Sequence, residues 1–368
     1  MPSDPSVPSA EHPSQAFLRD DLVGVTPYHV EPPPHTVKLD ANESPYDAPP
    51  DIKAETSSAF ADISWNRYPD AQALELRRAL AGRVGVPVEN LTVGNGSDEI
   101  IAALILALGR DNTRVVAPVP TFSMYGILAG TAGVEFRGAP LTADFEIDPT
   151  ALHAALRPDG NNIVFISYPN NPTGACWDRE AIANLLDIPN VLLVMDEAYY
   201  EYSGKTFLGE VQDHRNMIVL RTYSKAFGLA SLRVGYMVSD AEWVECVDKV
   251  RLPYNVNALS QIAGLTMLGH DDRVAEHLRW VMDERERVLA ALDGADGIER
   301  FRTDANFVLF RPEEGAEKVF QRLLTAGVLI RNLNRPGPLA NCLRVTIGTP
   351  AENTAFLDAL LSERDAVE

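Results

Sequence analysis

Apolar residues fall along this chain in two rhythms. In its first two thirds they come as short β-branched runs, at 114–117, 162–167, Val191–Asp196 and Met217–Thr222, each separated from the next by enough chain for a helix. The run Val191-Leu-Leu-Val-Met195 has no polar alternation, which predicts a strand buried on both faces. Residues 71–82 and Ser97–Leu108 read instead as helices. Strands and helices in alternation predict a mostly parallel sheet with helices on both sides. After about residue 260 the texture changes: a long charged helical stretch, Asp271–Asp293, precedes short strands at 306–310, 328–331 and 343–347. The expected fold class is therefore α/β, with a large domain at 36–260 and a smaller α+β domain at 261–368, the first residues of the large one being free to pack with the small one. Residues 1–35, which include Pro32, Pro33 and Pro34, form a Pro-rich arm with no core of its own.

Composition narrows the function. Asp and Glu number 52 against 32 Lys and Arg, a formal charge of -20. Such a surface repels nucleic acid and anionic lipid, which are bound through clustered Lys and Arg. Any anion site must then be a local pocket of a few arginines and backbone N–H groups. The apolar stretch 100–108 is about half of what a membrane span requires. Residues 1–15 have neither a basic nor an apolar leader segment, so a cytoplasmic location is expected. Three widely spaced cysteines suit reduced thiols, and the seven histidines make no HxxxH or HExxH pattern, so no metal site is expected.

Four segments carry candidate chemistry. Thr222-Tyr-Ser224-Lys225-Ala-Phe-Gly228 follows a buried strand, with Arg233 eight residues beyond the lysine. Most lysines are solvated surface residues, but a phosphate ester needs hydroxyl donors and a guanidinium, and an aldehyde cofactor needs a desolvated amine beside them. Asp196 ends the strand Val191–Asp196. It is either a cap for the next helix or, since a buried carboxylate needs a cation, the partner of a protonated pyridine nitrogen. Tyr199, three residues on, could reach the ring's phenolic oxygen. Ser167-Tyr-Pro-Asn170-Asn171-Pro172 is either a plain turn or a turn presenting the Asn171 amide to that oxygen. Gly94-Asn-Gly96-Ser97-Asp98 opens a helix, where backbone N–H groups suit an anion, although the segment lacks the lysine of a P-loop. The order phosphate loop, Asn, Asp, Lys-Arg is far more specific than any member.

With these segments in that order, the chain resembles the fold-type I pyridoxal-5'-phosphate (PLP) aminotransferases, and more narrowly the histidinol-phosphate aminotransferases. The narrower likeness rests on the segments Lys38-Leu-Asp-Ala-Asn42-Glu43-Ser-Pro45-Tyr46, Asn66-Arg-Tyr68-Pro-Asp70, Pro120-Thr-Phe122-Ser-Met-Tyr125, Leu252-Pro-Tyr-Asn-Val-Asn257, Ala305-Asn-Phe307, Gly327-Val-Leu-Ile-Arg331 and Leu343-Arg344-Val-Thr-Ile-Gly348. The resemblance implies PLP as cofactor, Lys225 as Schiff-base lysine and proton shuttle, Asp196 on the pyridine nitrogen, and Asn171 and Tyr199 on the ring oxygen. It implies Ser97, Asp98, Thr222, Ser224 and Arg233 around the phosphate, Phe122 stacked on the ring, and Arg344 on the substrate carboxylate. It further implies a homodimer in which Tyr68 reaches the partner's cofactor phosphate, with Tyr28 and the arm crossing the same interface; Tyr28, Asn42 and Arg331 would join Arg344 around the substrate. Ser44 and Asp47 depart from the family's usual Asn and Gly in a loop near the substrate.

The reaction so implied is transamination of histidinol phosphate with 2-oxoglutarate, giving imidazole-acetol phosphate and glutamate, as in histidine biosynthesis. Aromatic amino acid aminotransferases and threonine-phosphate decarboxylases share nearly every cofactor residue and stand as alternatives. A transcription regulator built on the same fold would need a DNA-binding domain for which the short N-terminal arm leaves no room.

Overall fold

The computed structural model describes residues 17–23 and 33–361. By its internal contacts the chain divides into two units, Met1–Pro32 and Pro33–Glu368. In the first, a single 3-10 turn, Asp20–Leu22, is described, and Tyr28 lies outside the described residues.

The second unit holds two sheets. In chain order their strands are β1 (Val37–Leu39), β2 (Leu91–Asn95), β3 (Thr113–Val119), β4 (Glu135–Pro140), β5 (Asn161–Ser167), β6 (Val191–Asp196), β7 (Met217–Thr222), β8 (Val234–Ser239), β9 (Ile298–Arg300), β10 (Phe307–Pro312), β11 (Val328–Asn332) and β12 (Leu343–Thr346). Seven of them form the larger sheet in the order β2-β8-β7-β6-β5-β3-β4. Strands β4, β3, β5, β6 and β7 are parallel, while β8 runs antiparallel between β7 and β2. Side chains alternate across the pleat, so Leu193 and Met195 enter one core and Leu192 and Val194 the core on the opposite face. Both faces being covered is the reason the run is apolar throughout.

The smaller sheet has the order β1-β11-β12-β10-β9. Its edge strand β1 comes from residues 37–39 and runs parallel to β11, which brings the chain just before Asp40 to the opposite end of the sequence. The long helix Asp271–Asp293 matches the charged stretch read from the pattern. Strands β1, β2, β4, β8 and β9 are not marked by that pattern; β4 mostly alternates exposed and half-buried positions, and β1 and β9 are only three residues long.

Because β5, β6 and β7 are parallel, the segments after Ser167, Asp196 and Thr222 all leave the same edge of the larger sheet. Antiparallel β8 begins at that edge, and β2 ends there with Asn95 opposite Val234. Every candidate segment of the cofactor set therefore opens on one cleft, outside the carboxyl ends of the parallel strands.

Candidate active site

One end of the cleft is made by neighbouring strand ends. Gly96, at φ 77, caps the helix Ser97–Leu108 and turns the chain from β2 into it. A side chain at Gly96 would be strained by that φ and would also lie 2.3 Å from Arg233 Nη2. Arg233 is itself left-handed, at φ 53, and its guanidinium donates to Ser224 Oγ at 3.1 Å and to Asp98 Oδ2 at 2.8 Å. Ser224 Oγ in turn accepts from Thr222 Oγ1 at 3.0 Å. Buried hydroxyls, a fixed guanidinium and the start of a twelve-residue helix form a donor cradle suited to a phosphate ester.

Asp196 lies deeper, at the end of β6. Its Oδ2 accepts from Tyr125 Oη at 2.6 Å and its Oδ1 from the Ala198 backbone N–H at 3.2 Å, so it also caps the turn that follows. Burial pushes its carboxyl up to about 6, against the Tyr125 hydrogen bond, which pulls it down. Among the described residues no cation pairs with it, which leaves a buried carboxylate whose charge has no counterpart. A protonated ring nitrogen is the kind of group this position lacks.

Lys225 follows β7 by three residues, and its Nζ donates to the Ala41 carbonyl at 3.0 Å. Burial, reinforced by the Arg344 charge, lowers its ammonium to about 8. An amine so shifted is neutral in roughly a tenth of molecules at pH 7, far more than an ordinary lysine, and that fraction is available as a nucleophile or base. Together the donor cradle, the uncompensated carboxylate and the desolvated amine fit PLP: Ser97, Thr222, Ser224 and Arg233 are suited to its phosphate, Asp196 to its nitrogen and Lys225 to its aldehyde.

The other end of the cleft is assembled from both sheets. Arg344, on β12, donates to Asn171 Oδ1 at 2.5 Å and to the Asp40 carbonyl at 2.8 Å. Asn42, buried and left-handed at φ 54, donates through Nδ2 to Tyr199 Oη at 2.9 Å, while its backbone N–H donates to Thr346 Oγ1 at 2.9 Å. Arg331 lies directly opposite Arg344 on β11, so both side chains leave the same face of the smaller sheet. Among the described residues Arg331 has no hydrogen-bond or ion-pair partner, and it stands beside a second arginine, Arg344.

Phe122 is half-buried beside the cleft and meets Tyr125 edge-on, with ring centroids 5.5 Å apart. Tyr68 is brought to none of these groups: it is 80% exposed and stacks on Tyr254, itself 41% exposed, at 4.5 Å. Ser44 closes its own turn, its hydroxyl donating to the Tyr46 carbonyl at 3.1 Å, and Asp47 pairs with Lys53.

Three contributors escaped the sequence reading. Tyr125 had a signal, three residues after Phe122 in a quoted segment, but nothing marked its hydroxyl as Asp196's partner. The fully buried pair Glu197–Arg221, 2.9 Å apart, sits one residue after Asp196 and one before Thr222 and ties the ends of β6 and β7 together. Thr346 meets Asn42 only through a contact between residues 304 positions apart.

Residues 34–360 match the family Aminotransferase class I and II. A protein of Cupriavidus pinatubonensis named histidinol-phosphate aminotransferase 2 is 42% identical over 352 residues, covering 94% of this chain and 96% of its own. The histidinol-phosphate aminotransferase of Aquifex aeolicus is 41% identical, covering 90% of this chain and 94% of its own. Among solved structures, histidinol-phosphate aminotransferase from Sinorhizobium meliloti in complex with pyridoxal-5'-phosphate superposes with a TM-score of 0.82 at 26% identity, covering 91% of this chain and 92% of its own.

Proposed function

Because the chain belongs to the aminotransferase class I and II family, a PLP-dependent family, we propose that it transfers the amino group of histidinol phosphate to 2-oxoglutarate in histidine biosynthesis. What carries the reaction class is the pairing of a buried carboxylate, with no cation beside it among the described residues, with a lysine amine lowered to about 8 in the same cleft. Near-full-length identity to relatives named for histidinol phosphate supports the substrate.

When bound, PLP supplies an electron sink that acidifies the carbon bearing the substrate's amino group. The chain's own residues do the rest. Lys225 Nζ takes the proton from that carbon and would deliver it to the cofactor's aldehyde-derived carbon, a transfer that its lowered pKa permits near neutrality. Asp196 holds positive charge on the ring nitrogen, and Asn171 and Tyr199 direct their polar groups to the ring oxygen. Thr222, Ser224 and Arg233, with Ser97 and Asp98 at the helix start, anchor the phosphate, and Phe122 covers the ring. Histidinol phosphate brings a phosphate but no carboxylate, whereas glutamate brings two carboxylates. Adjacent Arg331 and Arg344 suit that alternation: we assign Arg344 to the α-carboxylate and Arg331 to the substrate phosphate or the distal carboxylate, with Asn42 framing the pocket between them.

The same reading includes a homodimer. Exposed Trp65, Tyr68, Leu252 and Tyr254, of which Tyr68 and Tyr254 stack on one another, leave large apolar side chains in want of a partner, and Tyr68 would then complete the neighbouring subunit's phosphate site. Tyr28 and the arm are assigned to that interface too. The proposal extends to a large segment ending near residue 260 that carries the cofactor and a smaller one that carries the substrate arginines. Among the described residues no helix is long and apolar enough to cross a membrane; all three cysteines are free, in keeping with a cytoplasmic enzyme.

The test is a half-reaction screen. Purified protein is mixed with histidinol phosphate, phenylalanine, tyrosine and threonine phosphate in turn, and loss of the bound cofactor's near-visible absorbance is followed. Fastest loss with histidinol phosphate is expected. Faster loss with an aromatic amino acid, or release of carbon dioxide from threonine phosphate, refutes the substrate assignment.

A further inference from the structure

Tyr125 is among the largest fully buried side chains of the protein, and its ring is held on two sides. It lies flat on Phe165, with centroids 4.8 Å apart and planes at 12°, and meets Phe122 edge-on at 5.5 Å. A core position needing only a ring would take phenylalanine, because an unmatched buried hydroxyl is costly. The hydroxyl here has a partner, Asp196 Oδ2, at 2.6 Å, with the Ser167 side chain beside it as a second hydrogen-bonding group. Burial raises the Tyr125 phenol well above its ordinary range, so it remains a donor wherever the enzyme works.

The charges around Asp196 make this one bond decisive. Burial, Asp98 and Glu197 all push its proton affinity up; the Tyr125 hydroxyl and the Ala198 N–H are the groups that pull it down. A carboxyl near 6 is close in acidity to a pyridinium, so the proton between them is finely divided. A charge-assisted hydrogen bond is worth about one to two pKa units, enough to decide which side keeps it.

We propose that Tyr125 is a positioning residue that keeps Asp196 ionised and fixed in direction, so that the ring nitrogen of the cofactor, and not the carboxylate, holds the proton they share. This rests on the PLP reading above and adds a residue to it. The hydroxyl touches neither substrate nor cofactor; it acts through Asp196.

The experiment loads the full-length protein with PLP labelled with 15N at the ring nitrogen and follows that nitrogen by NMR across the neutral range. In wild type the protonated signal is expected throughout. In Tyr125→Phe it should move towards the unprotonated position, with kcat down roughly ten- to a hundredfold and KM changed by no more than about twofold. Cofactor methylated at the nitrogen, whose charge is permanent, should bring the variant close to wild type loaded with the same analogue. Phe165→Leu is the packing control: a lower Tm with the nitrogen signal unmoved is expected. If Tyr125→Phe fails to accumulate folded, a fluorotyrosine at 125, with the same ring and a more acidic hydroxyl, should extend the protonated signal to higher pH. A nitrogen signal that ignores the change at position 125, or that shifts as far in Phe165→Leu, overturns the inference alone. Failure of wild type to hold the cofactor overturns the PLP reading and this inference with it.

Discussion

The two ends of the cleft reach their shape by different routes. At the phosphate end, Gly96, Thr222, Ser224 and Arg233 come from turns on β2, β7 and β8, three adjacent strands of one sheet. Backbone pairing places them: Gly235 stands opposite both Gly94 and Thr222. At the substrate end, Asn42, Asn171, Tyr199 and Arg344 are joined by hydrogen bonds between residues as far as 304 positions apart, and Arg331 stands beside Arg344 on the neighbouring strand. The first end is set by the fold itself. The second is set by a lattice of side chains, and it brings Arg331 and Arg344 side by side in a chain whose formal charge is -20. On the proposed function an anionic substrate would complete the second end, while the first stands formed in advance.

The sharpest test of this contrast is Lys225, which lies between the two ends. Lys225→Ala removes nucleophile and proton shuttle together, and turnover should fall by roughly 10^4 or more, with loss of the cofactor's near-visible band. A borohydride-reducible adduct at another lysine would show that the assignment is wrong. At the substrate end, Arg344→Ala should slow the glutamate half-reaction roughly ten- to a hundredfold, and Arg331→Ala should damage the histidinol-phosphate half-reaction most. Neither should alter cofactor content, since neither belongs to the phosphate end. Small, equal losses in both half-reactions would mean that the substrate phosphate sits elsewhere.

A subtler effect tests whether the phosphate end is complete within one chain. Tyr68→Ala and Lys225→Ala subunits, each nearly inactive, are mixed in equal amounts and allowed to exchange. If Tyr68 acts across a two-fold interface, half of the dimers carry one intact site, and activity should return to about a quarter of wild type. No return after proven exchange would confine Tyr68 to its own chain.

The smallest effect concerns the cost of holding Lys225 ready. Its ammonium is lowered from 10.5 to about 8 in the folded chain. Below pH 8 both folded and unfolded chains hold the proton, and folding bears the full cost of the buried charge. Between 8 and 10.5 the folded chain has released the proton while the unfolded one retains it, so stability rises with pH and the cost fades. Lys225→Met should then stabilise the cofactor-free protein by about 1–2 kcal/mol near neutrality, allowing for partial exposure, and by nearly nothing as pH approaches 10.5. Denaturant melts at the two pH values measure this; a gain that does not change with pH would place its origin in packing.

Breaking the strut behind the phosphate end is a separate matter from chemistry, yet it shows what was hard to read. Glu197 and Arg221 look in sequence like neighbours of interesting residues, and a charge next to a motif is ordinarily solvated. They are buried because β6 and β7 are adjacent and parallel, which brings Glu197 to Arg221, to the Thr206 hydroxyl at 2.8 Å and to the Phe207 N–H at 2.6 Å. Tyr125 was likewise visible as a residue and invisible as a donor.

The sequence by itself determined the alternation of strands and helices, the apolar run of β6, the long helix Asp271–Asp293, and the succession of Gly96, Asn171, Asp196, Lys225 and Arg233 on turns after strands. These are local properties: apolar periodicity, turn chemistry and the needs of a phosphate or an amine are written within a few residues of each other. Tertiary structure alone decided that β1 joins the smaller sheet beside β11, that Arg331 and Arg344 stand side by side, that Asn42 meets Tyr199, and that Asp196 receives a hydroxyl from Tyr125 and, among the described residues, no cation. Each of those is a contact across a long stretch of chain, and its energy depends on burial and on which charges face one another. Local sequence does not carry that information, because the same side chain in water would be satisfied without any partner.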